Sequence, residues 1–240
     1  MSLHDLTAVV LAGGRGTRLG ALSADIPKPL LPVAGRPFLD LVAGWLRDQG
    51  VVDTVYSAGY LGEQVEAWVE GLDLPVGERA RCLRESSAMG TGGAVLGCLD
   101  LCQELILVAN GDTLLLTGLP PIVERVRTDA LDGIVVAVRV DDMSRFGSLE
   151  VGDDGLLRSF REKAPGAGVV NAGLYLFQRA TLKRCLPARR SSLEEDLIPD
   201  LLGDGSRIGV TVVNAPFIDI GVPESLAVVD AFVDAHVRRR

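Results

Sequence analysis

The sequence contains few of the residue types that most hydrolytic and metal-dependent sites require. Only two of its 240 residues are histidines, His4 and His236, and both lie near an end of the chain. A catalytic triad built on histidine, or a histidine-rich metal site, is therefore not expected. No apolar run approaches the length of about 20 residues that a membrane-spanning helix needs. The first residues also lack the basic and then apolar order of a signal peptide. These absences predict a cytoplasmic protein with no membrane partner.

Cysteines are also few, and the 32 acidic residues outnumber the 24 lysines and arginines. Cys98 and Cys102 are one helical turn apart, but no second Cys or His pair accompanies them. Buried reduced thiols are therefore favoured over a zinc site. The net charge of -8 argues against the basic face that a nucleic-acid partner requires. The basic run Arg238–Arg240 is interpreted as a solvated tail, and the sequence leaves a homo-oligomer open.

Short apolar runs alternate with amphipathic segments along the first part of the chain. The pattern predicts strands at Thr7–Ala12, Thr54–Ala58, Ala80–Leu83, Leu105–Ala109 and Gly133–Val138, and helices at Phe38–Gln49, Leu61–Glu70, Gly92–Leu101 and Pro121–Thr128. Strands separated by helices of about three turns indicate βαβ units. The expected fold is a Rossmann-like, three-layer α/β/α arrangement with a mainly parallel, mixed central sheet. One domain is expected over residues 1–240.

The second part of the chain is expected to be richer in hairpins and short helices. The pattern predicts a hairpin of Ser148–Val151 with Leu156–Phe160, strands at Asn171–Phe177, Ile208–Val213 and Pro216–Ile220, and helices at Thr181–Cys185, Glu194–Leu202 and Pro223–Val237. The tetrapeptide Gly-Asp-Asp-Gly at 152–155 is a turn signal between the two hairpin strands.

A glycine-rich run follows the first predicted strand. It reads Leu11-Ala12-Gly13-Gly14-Arg15-Gly16-Thr17-Arg18-Leu19, and Pro27-Lys28-Pro29 comes shortly after. Glycines allow backbone N–H groups to approach a ligand closely, and two cations at loop spacing offset phosphate charge. The run matches neither the dinucleotide-binding fingerprint nor the P-loop, and an ordinary turn is the alternative. Polyphosphate binding by the glycines, Arg18 and Lys28 is the favoured hypothesis.

Two aspartates stand in positions that suit a metal. Asp112 follows the apolar strand Leu105–Ala109, and Asp219 lies inside the apolar pattern Phe217-Ile218-Asp219-Ile220. An unpaired buried carboxylate is costly, so Asp219 needs a cation, hydrogen-bond donors or an exposed face. Two carboxylates that meet at strand ends suit Mg²⁺ together with substrate phosphates. The alternatives are that Asp112 caps a turn and that Asp219 faces solvent.

Two further motifs are consistent with substrate recognition. Glu85 begins a segment that continues through Gly90-Thr91-Gly92-Gly93, where N–H groups and the Thr91 hydroxyl suit a base edge or a ribose. An ordinary helix N-terminus is the alternative there. The pair Glu162-Lys163 precedes Asn171-Ala172-Gly173. On sequence alone this pair is most simply a solvated ion pair.

Taken together, these motifs resemble the sugar-1-phosphate nucleotidylyltransferases, also called nucleoside-diphospho-sugar pyrophosphorylases. The family pattern is L-A-G-G-x-G-T-R-L, then P-K-P, then P-V-x-G-x-P. The chain has all three parts, the last at 32–37, and the similarity continues to Gly221-Val222-Pro223-Glu224. The resemblance implies the nucleotide-diphospho-sugar transferase fold, with a nucleotide-binding part over about residues 1–140 and a sugar-binding part over about 141–240. It also implies nucleotidylyl transfer from an NTP to a sugar 1-phosphate with Mg²⁺ as cofactor.

The resemblance assigns roles residue by residue. Arg18 and Lys28 would be catalytic, and Asp112 and Asp219 would bind Mg²⁺. The implied nucleotide-binding residues are Leu11, Ala12, Gly13, Gly14, Gly16, Thr17, Arg18, Lys28, Glu85, Gly90, Thr91 and Asp112. The implied sugar-binding residues are Gly147, Glu162, Lys163, Asn171 and Gly173.

The length, the Gly-Thr-Gly-Gly-Ala loop and the segment Ser144–Ser148 most resemble the D-glycero-D-manno-heptose 1-phosphate guanylyltransferase branch. That branch implies GTP and D-glycero-α-D-manno-heptose 1-phosphate as substrates. Similar sequences carry Pro-Leu where this chain has Ala88-Met89, which leaves base selectivity open. The alternatives are a small uridylyltransferase for N-acetylmuramic acid 1-phosphate or glucose 1-phosphate, and a binding protein without turnover.

Overall fold

The computed structural model describes residues 3–144, 147–161, 165–185 and 190–237. Its strands are β1 (Leu6–Leu11), β2 (Pro32–Val33), β3 (Arg36–Pro37), β4 (Asp53–Ala58), β5 (Arg79–Arg84), β6 (Leu105–Asn110), β7 (Thr113–Leu115), β8 (Gly133–Val140), β9 (Ser148–Val151), β10 (Leu157–Arg161), β11 (Gly168–Gln178), β12 (Ile208–Val213) and β13 (Phe217–Asp219). Its α-helices are α1 (Phe38–Asp48), α2 (Gly62–Glu70), α3 (Gly90–Gly97), α4 (Pro120–Thr128), α5 (Arg179–Leu182), α6 (Ile198–Gly203), α7 (Pro223–Leu226) and α8 (Val229–His236). Short 3-10 helices cover Thr17–Ser23, Lys28–Leu30 and Leu99–Leu101, and a π-helical turn covers Leu193–Leu197.

The first half of the chain builds the parallel part of the central sheet. Strands β6, β1, β4 and β5 lie side by side in that order, and all three of their pairings are parallel. Strands β1, β4 and β6 are buried almost throughout, as the apolar runs predicted. Their carboxyl ends therefore share one edge, where ligands of open α/β sheets bind.

The long strand β11 joins the second half of the chain to this sheet. It pairs antiparallel with β6, β8 and β9, with β8 and β9 on opposite sides of Val170, and β12 extends the sheet by pairing parallel with β8. The register of β11 against β8 shifts between Asn171 and Leu174. This bulge re-aims the side chains at the ligand edge of the sheet. The mixed sheet predicted from the sequence is confirmed.

Helices cover both faces of the sheet and complete the three layers. One apolar core lies under α1, α2, α4 and α8, and the other lies under α3, α5, α6 and the π-helical turn. Helix α1 packs on the sheet because one of its faces is apolar: Phe38, Val42, Trp45 and Leu46 recur at helical spacing and are all buried.

Several predicted elements have different bounds in the structure. Helix α3 begins at Gly90 and ends at Gly97, before a separate 3-10 turn, so the predicted helix Gly92–Leu101 is wrong at both ends. The predicted helix at Thr181–Cys185 instead covers Arg179–Leu182. The predicted helix Pro223–Val237 divides into α7 and α8. The division into nucleotide and sugar parts stays a prediction. Within the described ranges, no helix has the length and apolar character needed to cross a membrane.

Candidate active site

A cavity of about 580 Å³ opens at the carboxyl ends of the parallel strands. Its lining residues are Leu11, Gly13, Gly14, Arg15, Lys28, Pro29, Glu85, Ala88, Gly90, Thr91, Ala94, Asn110, Asp112 and Arg190. Eight of them were predicted as nucleotide-binding residues. They come from the loop after β1, from Glu85 directly after β5, from the start of α3 and from the end of β6. The parallel topology therefore gathers these distant segments at one place.

The three glycines of the first loop have different physical roles. A Cβ at Gly13 would lie 2.9 Å from Gly59 N and 2.9 Å from Glu85 Oε1, so Gly13 serves protein packing. Gly16 has a φ of 63°, in the left-handed region that favours glycine. Only Gly14 faces open space, with no other atom within 4 Å of its added Cβ. An added Cβ at Gly13 would meet protein atoms and Gly16 needs its left-handed backbone, so ligand contact by these two glycines stays a prediction.

The cations of this loop differ in their positions. Arg15 lines the cavity, and its guanidinium lies 6.0 Å from the centre of the Tyr60 ring. Arg18 is exposed on the 3-10 helix that begins at Thr17, outside the residues that line the cavity. Ala12 is buried and donates its N–H to Ser57 O at 2.8 Å. Phosphate binding by Arg18 and Thr17 stays a prediction, and Arg15 is a cation of the cavity lining that was not predicted from the sequence.

Lys28 is almost fully buried, with 6% of its surface exposed. It stands in a short 3-10 turn between Pro27 and Pro29, and its ammonium forms an ion pair with Asp112. The flanking prolines restrict the backbone, and the ion pair directs the side chain to the cavity wall. A buried ammonium without such a partner would carry a large desolvation cost.

The structure brings Asp112 and Asp219 together, although 106 positions separate Asp219 from Thr113, the neighbour of Asp112. Strand β13 pairs with β7 so that Asp219 stands opposite Thr113. The Thr113 hydroxyl lies 3.3 Å from Asp112 Oδ1 and 3.2 Å from Asp219 Oδ2. The two carboxylates therefore lie within two hydrogen-bond lengths of each other. Gly221 also donates its N–H to Asp219 Oδ1 at 2.8 Å.

The electrostatics of this pair suit a divalent cation. Burial, and next the negative charge of Asp112, raise the pKa of Asp219 above its ordinary value, while Lys28 lowers it. Two converging carboxylates of this kind are hard oxygen donors, and a cation would relieve their repulsion. In the described part of the chain, no group of three or more His, Cys, Asp or Glu side chains has metal-binding geometry. Mg²⁺ needs only one or two carboxylates when phosphates complete its shell, so the pair fits Mg²⁺.

The second glycine-rich loop contacts a distant segment of the chain. Gly92 N and Gly93 N both donate to Ser191 O, at 2.9 and 3.4 Å. Leu193 N donates to Thr91 Oγ1 at 2.7 Å. A Cβ at Gly90 would lie only 2.5 Å from Ser191 O, so close packing requires glycine there. The expectation of free amides in this loop is therefore wrong for Gly92 and Gly93, while Thr91 keeps its hydroxyl hydrogen for a ligand.

Glu85 projects into the cavity from the end of β5. Its Oε2 accepts a hydrogen bond from Met89 N at 3.0 Å, and its Oε1 accepts one from Ser57 Oγ at 3.4 Å. A carboxylate has about four lone-pair sites, so each oxygen retains acceptor capacity. Glu85 is thus a fixed, acceptor-only group in the cavity wall.

A second cavity of about 1090 Å³ lies beside the β11 bulge. It is lined by Gly147, Arg158, Ser159, Phe160, Asn171, Glu194, Glu195, Pro199, Leu202 and Gly203. Asn171 and Gly147 were predicted as sugar-binding residues, and Glu194 was missed. Gly173 does not line this cavity, because it packs against Asn110 at its left-handed φ of 67°. Glu162 and Lys163 lie outside the described residues, so their predicted roles stay predictions.

Asn110 and Arg190 line the first cavity but were not predicted. Asn110 directly precedes Gly111-Asp112 at a strand end, and that position is a signal that the sequence offered. Arg190 has no comparable signal. It reaches the cavity because the following residue, Ser191, bonds to the loop at Gly92.

Comparisons with known proteins agree on a family. The profile of a family described as nucleotidyl transferase matches residues 7–236. A mannose-1-phosphate guanylyltransferase of Mycobacterium tuberculosis is 32% identical over 228 residues, which are 93% of this chain and 63% of that protein. A D-glycero-alpha-D-manno-heptose 1-phosphate guanylyltransferase of Campylobacter jejuni is 29% identical over 220 residues, which are 91% of this chain and 96% of that protein.

A similar solved structure is that of HddC from Yersinia pseudotuberculosis complexed with GMP-PN. Its TM-score is 0.83 and its identity is 32%, with 94% of this chain and 98% of that chain covered. The predicted nucleotide-diphospho-sugar transferase fold is confirmed by these matches.

Proposed function

This chain belongs to the nucleotidyl transferase family, and we propose that its substrates are GTP and D-glycero-α-D-manno-heptose 1-phosphate. The products would be GDP-heptose and pyrophosphate. The observation that carries the choice of GTP is the position of Glu85 in the wall of the nucleotide cavity.

The carboxylate of Glu85 favours guanine among the common bases. Guanine presents two adjacent donors, N1–H and the N2 amino group, and a carboxylate with free lone pairs on both oxygens accepts both. Uracil presents one donor between two acceptors, and an acceptor-only group is poorly matched to it. The names of the Mycobacterium and Campylobacter relatives and the GMP-PN bound to HddC support the same base.

The choice of a heptose rests on the Campylobacter relative. It acts, by its name, on a heptose 1-phosphate, and the match spans 96% of its length. The Mycobacterium relative is named for mannose 1-phosphate, but this chain spans only 63% of it. Mannose 1-phosphate, which shares the manno ring configuration, is therefore the second acceptor to be tested.

The reaction requires little acid–base chemistry. An oxygen of the sugar 1-phosphate forms a bond to the α-phosphorus of GTP, the bond from that phosphorus to the α,β-bridging oxygen breaks, and pyrophosphate leaves. The attacking oxygen is already anionic, so no general base is needed, in agreement with a site without histidine. Positioning and charge stabilisation supply the catalysis.

The residues of the cavity are suited to these two tasks. Lys28 and Arg15 offset the negative charge of the triphosphate, and the open face of Gly14 admits a phosphate close to the backbone. Asp112 and Asp219 would hold Mg²⁺, which when bound offsets further phosphate charge. Arg18 is proposed to reach the β- and γ-phosphates from the loop.

A substrate panel tests this proposal. Purified protein is incubated with GTP, UTP, CTP, ATP or dTTP, each with heptose, mannose, glucose or N-acetylmuramic acid 1-phosphate, and pyrophosphate release is measured. We expect the highest kcat/KM with GTP and the heptose phosphate. Turnover with UTP but not with GTP would refute the base assignment. Binding of the nucleotides without turnover in any pair would indicate a binding protein.

A further inference from the structure

The hydroxyl group of a buried tyrosine is hydrogen-bonded to two residues that line the second cavity. Tyr175 lies on β11 with none of its surface exposed, and its ring stacks on Phe177 at 6.3 Å between ring centres. Its hydroxyl lies 2.6 Å from Glu194 Oε1 and 2.6 Å from Asn171 Nδ2. Glu194 and Asn171 line the cavity, whereas Tyr175 does not.

The directions of these hydrogen bonds follow from the donors available. Asn171 Oδ1 accepts a hydrogen bond from Gly173 N at 3.0 Å, which orients the amide so that Nδ2 faces Tyr175. The Tyr175 oxygen accepts that N–H, and its single hydrogen is therefore donated to Glu194. Burial, together with the charge of Glu194, raises the pKa of Tyr175 well above its ordinary value, so this hydrogen is retained.

These bonds leave lone pairs on the carboxylate of Glu194, the charged group of the cluster, with which it can contact a ligand. The amide oxygen of Asn171 is bonded to Gly173, and its nitrogen donates to Tyr175 and, at 3.4 Å, to Glu194. Within the described residues, Asn171 Oδ1 accepts only the N–H of Gly173 and retains a lone pair, so the role of Asn171 in binding sugar hydroxyls stays a prediction. Among the described residues, the one contact of Glu194 Oε2 is a long one, 3.4 Å from Ser192 Oγ. This oxygen retains lone pairs for the hydroxyl groups of a sugar.

The residue before Glu194 is anchored independently of Tyr175. Leu193 N is bonded to Thr91 in the nucleotide cavity, and Ser191 is bonded to Gly92. Loss of the Tyr175 hydroxyl would therefore release the carboxylate of Glu194 without releasing the main chain from the nucleotide loop. Sugar binding and nucleotide binding are expected to respond differently to such a change.

We propose that Tyr175 is a positioning residue for the sugar: its hydroxyl holds Glu194 in the orientation that accepts hydrogen bonds from sugar hydroxyl groups. This inference rests on the proposed function, because it takes the second cavity as the sugar subsite. Tyr175 itself touches no substrate and acts only through Glu194.

Equilibrium binding separates the sugar from the nucleotide. The affinities of GDP and of GDP-mannose are measured by calorimetry for the wild type and for Tyr175→Phe, which removes the hydroxyl and keeps the ring. We expect affinity for GDP-mannose to fall about tenfold, the effect of losing one hydrogen bond to a charged group. Affinity for GDP should stay within about twofold. The matched control is Tyr56→Phe, which alters a buried tyrosine in the other core and should change neither affinity.

A double-mutant cycle tests whether Tyr175 acts through Glu194. Glu194→Ala should weaken GDP-mannose binding, and adding Tyr175→Phe to it should weaken binding no further. Equal losses for GDP and GDP-mannose, no loss in Tyr175→Phe, or additive losses in the double variant would each overturn the inference. A wild type that binds GDP as tightly as GDP-mannose would also overturn it. Normal results in these titrations with no turnover in the substrate panel would refute the proposed function alone.

Discussion

Replacing Glu85 with glutamine tests whether the Glu85 carboxylate accepts hydrogen bonds from guanine. The substitution keeps the shape of the side chain but turns one carboxylate oxygen into an amino group. Met89 N lies 3.0 Å from Glu85 Oε2 and needs an acceptor, so the remaining oxygen should face Met89. The amino group then faces the cavity, where it opposes a donor of guanine.

The size of the effect follows from the loss of one hydrogen bond to a charged acceptor, with a buried donor left unpaired. That loss costs about 1.5–3 kcal/mol, so kcat/KM for GTP should fall about 10- to 150-fold. Uracil offers an acceptor to the new amino group, so the ratio of UTP to GTP turnover should rise. Glu124→Gln, an exposed change on α4, is the matched control and should have no effect.

Pyrophosphate release with GTP, ITP and UTP is the assay. Inosine lacks the 2-amino group of guanine, so the wild type should prefer GTP to ITP, and Glu85→Gln should largely lose that preference. The reasoning is refuted if Glu85→Gln keeps the wild-type ratio of GTP to UTP turnover. It is refuted equally if the wild type uses ITP as well as GTP, because the 2-amino group would then have no acceptor in the site.

Three further predictions follow from the same geometry. Asp219→Asn should lower turnover about a hundredfold or more at saturating Mg²⁺, and wild-type turnover in a folded variant would contradict the metal assignment. Gly13→Ala should lower the Tm, because its Cβ would lie 2.9 Å from Gly59 N, whereas Gly14→Ala should keep the Tm and weaken GTP binding; the reverse order in thermal melts and titrations would disprove these roles. Burial raises the pKa of Cys98 to about 12, so iodoacetamide at about pH 8 should label it only after unfolding. Rapid labelling of the native protein, detected by mass spectrometry, would contradict this burial.

The sequence predicted the parts of the fold that depend on local patterns. Strands β1 and β6 are largely apolar runs, and α1 has a buried stripe at helical spacing. Such patterns predict elements wherever neighbouring residues decide burial. The predicted helix ends were less accurate. Helix α3 begins at Gly90 because its first turn packs against Ser191, a contact with no local signal.

Some residues of the candidate site could likewise be predicted from local sequence patterns, and others could not. The sequence by itself placed the glycine-rich loop after β1, Lys28 between two prolines and Asp112 at the end of β6, since each position follows from its own neighbours in the chain. It also indicated Asp219, whose carboxylate stands out in an apolar strand.

Only the tertiary structure decided which of these groups meet and which are already bonded. It placed Asp219 beside Asp112 through the pairing of β13 with β7, and it added Arg190 and Glu194 to the cavity walls. It also joined Gly92 to Ser191, although the loop pattern predicted a free amide there. Contacts between residues about 100 positions apart depend on how strands and helices pack. No local pattern encodes that packing, because it arises from the burial of apolar surface by the whole chain.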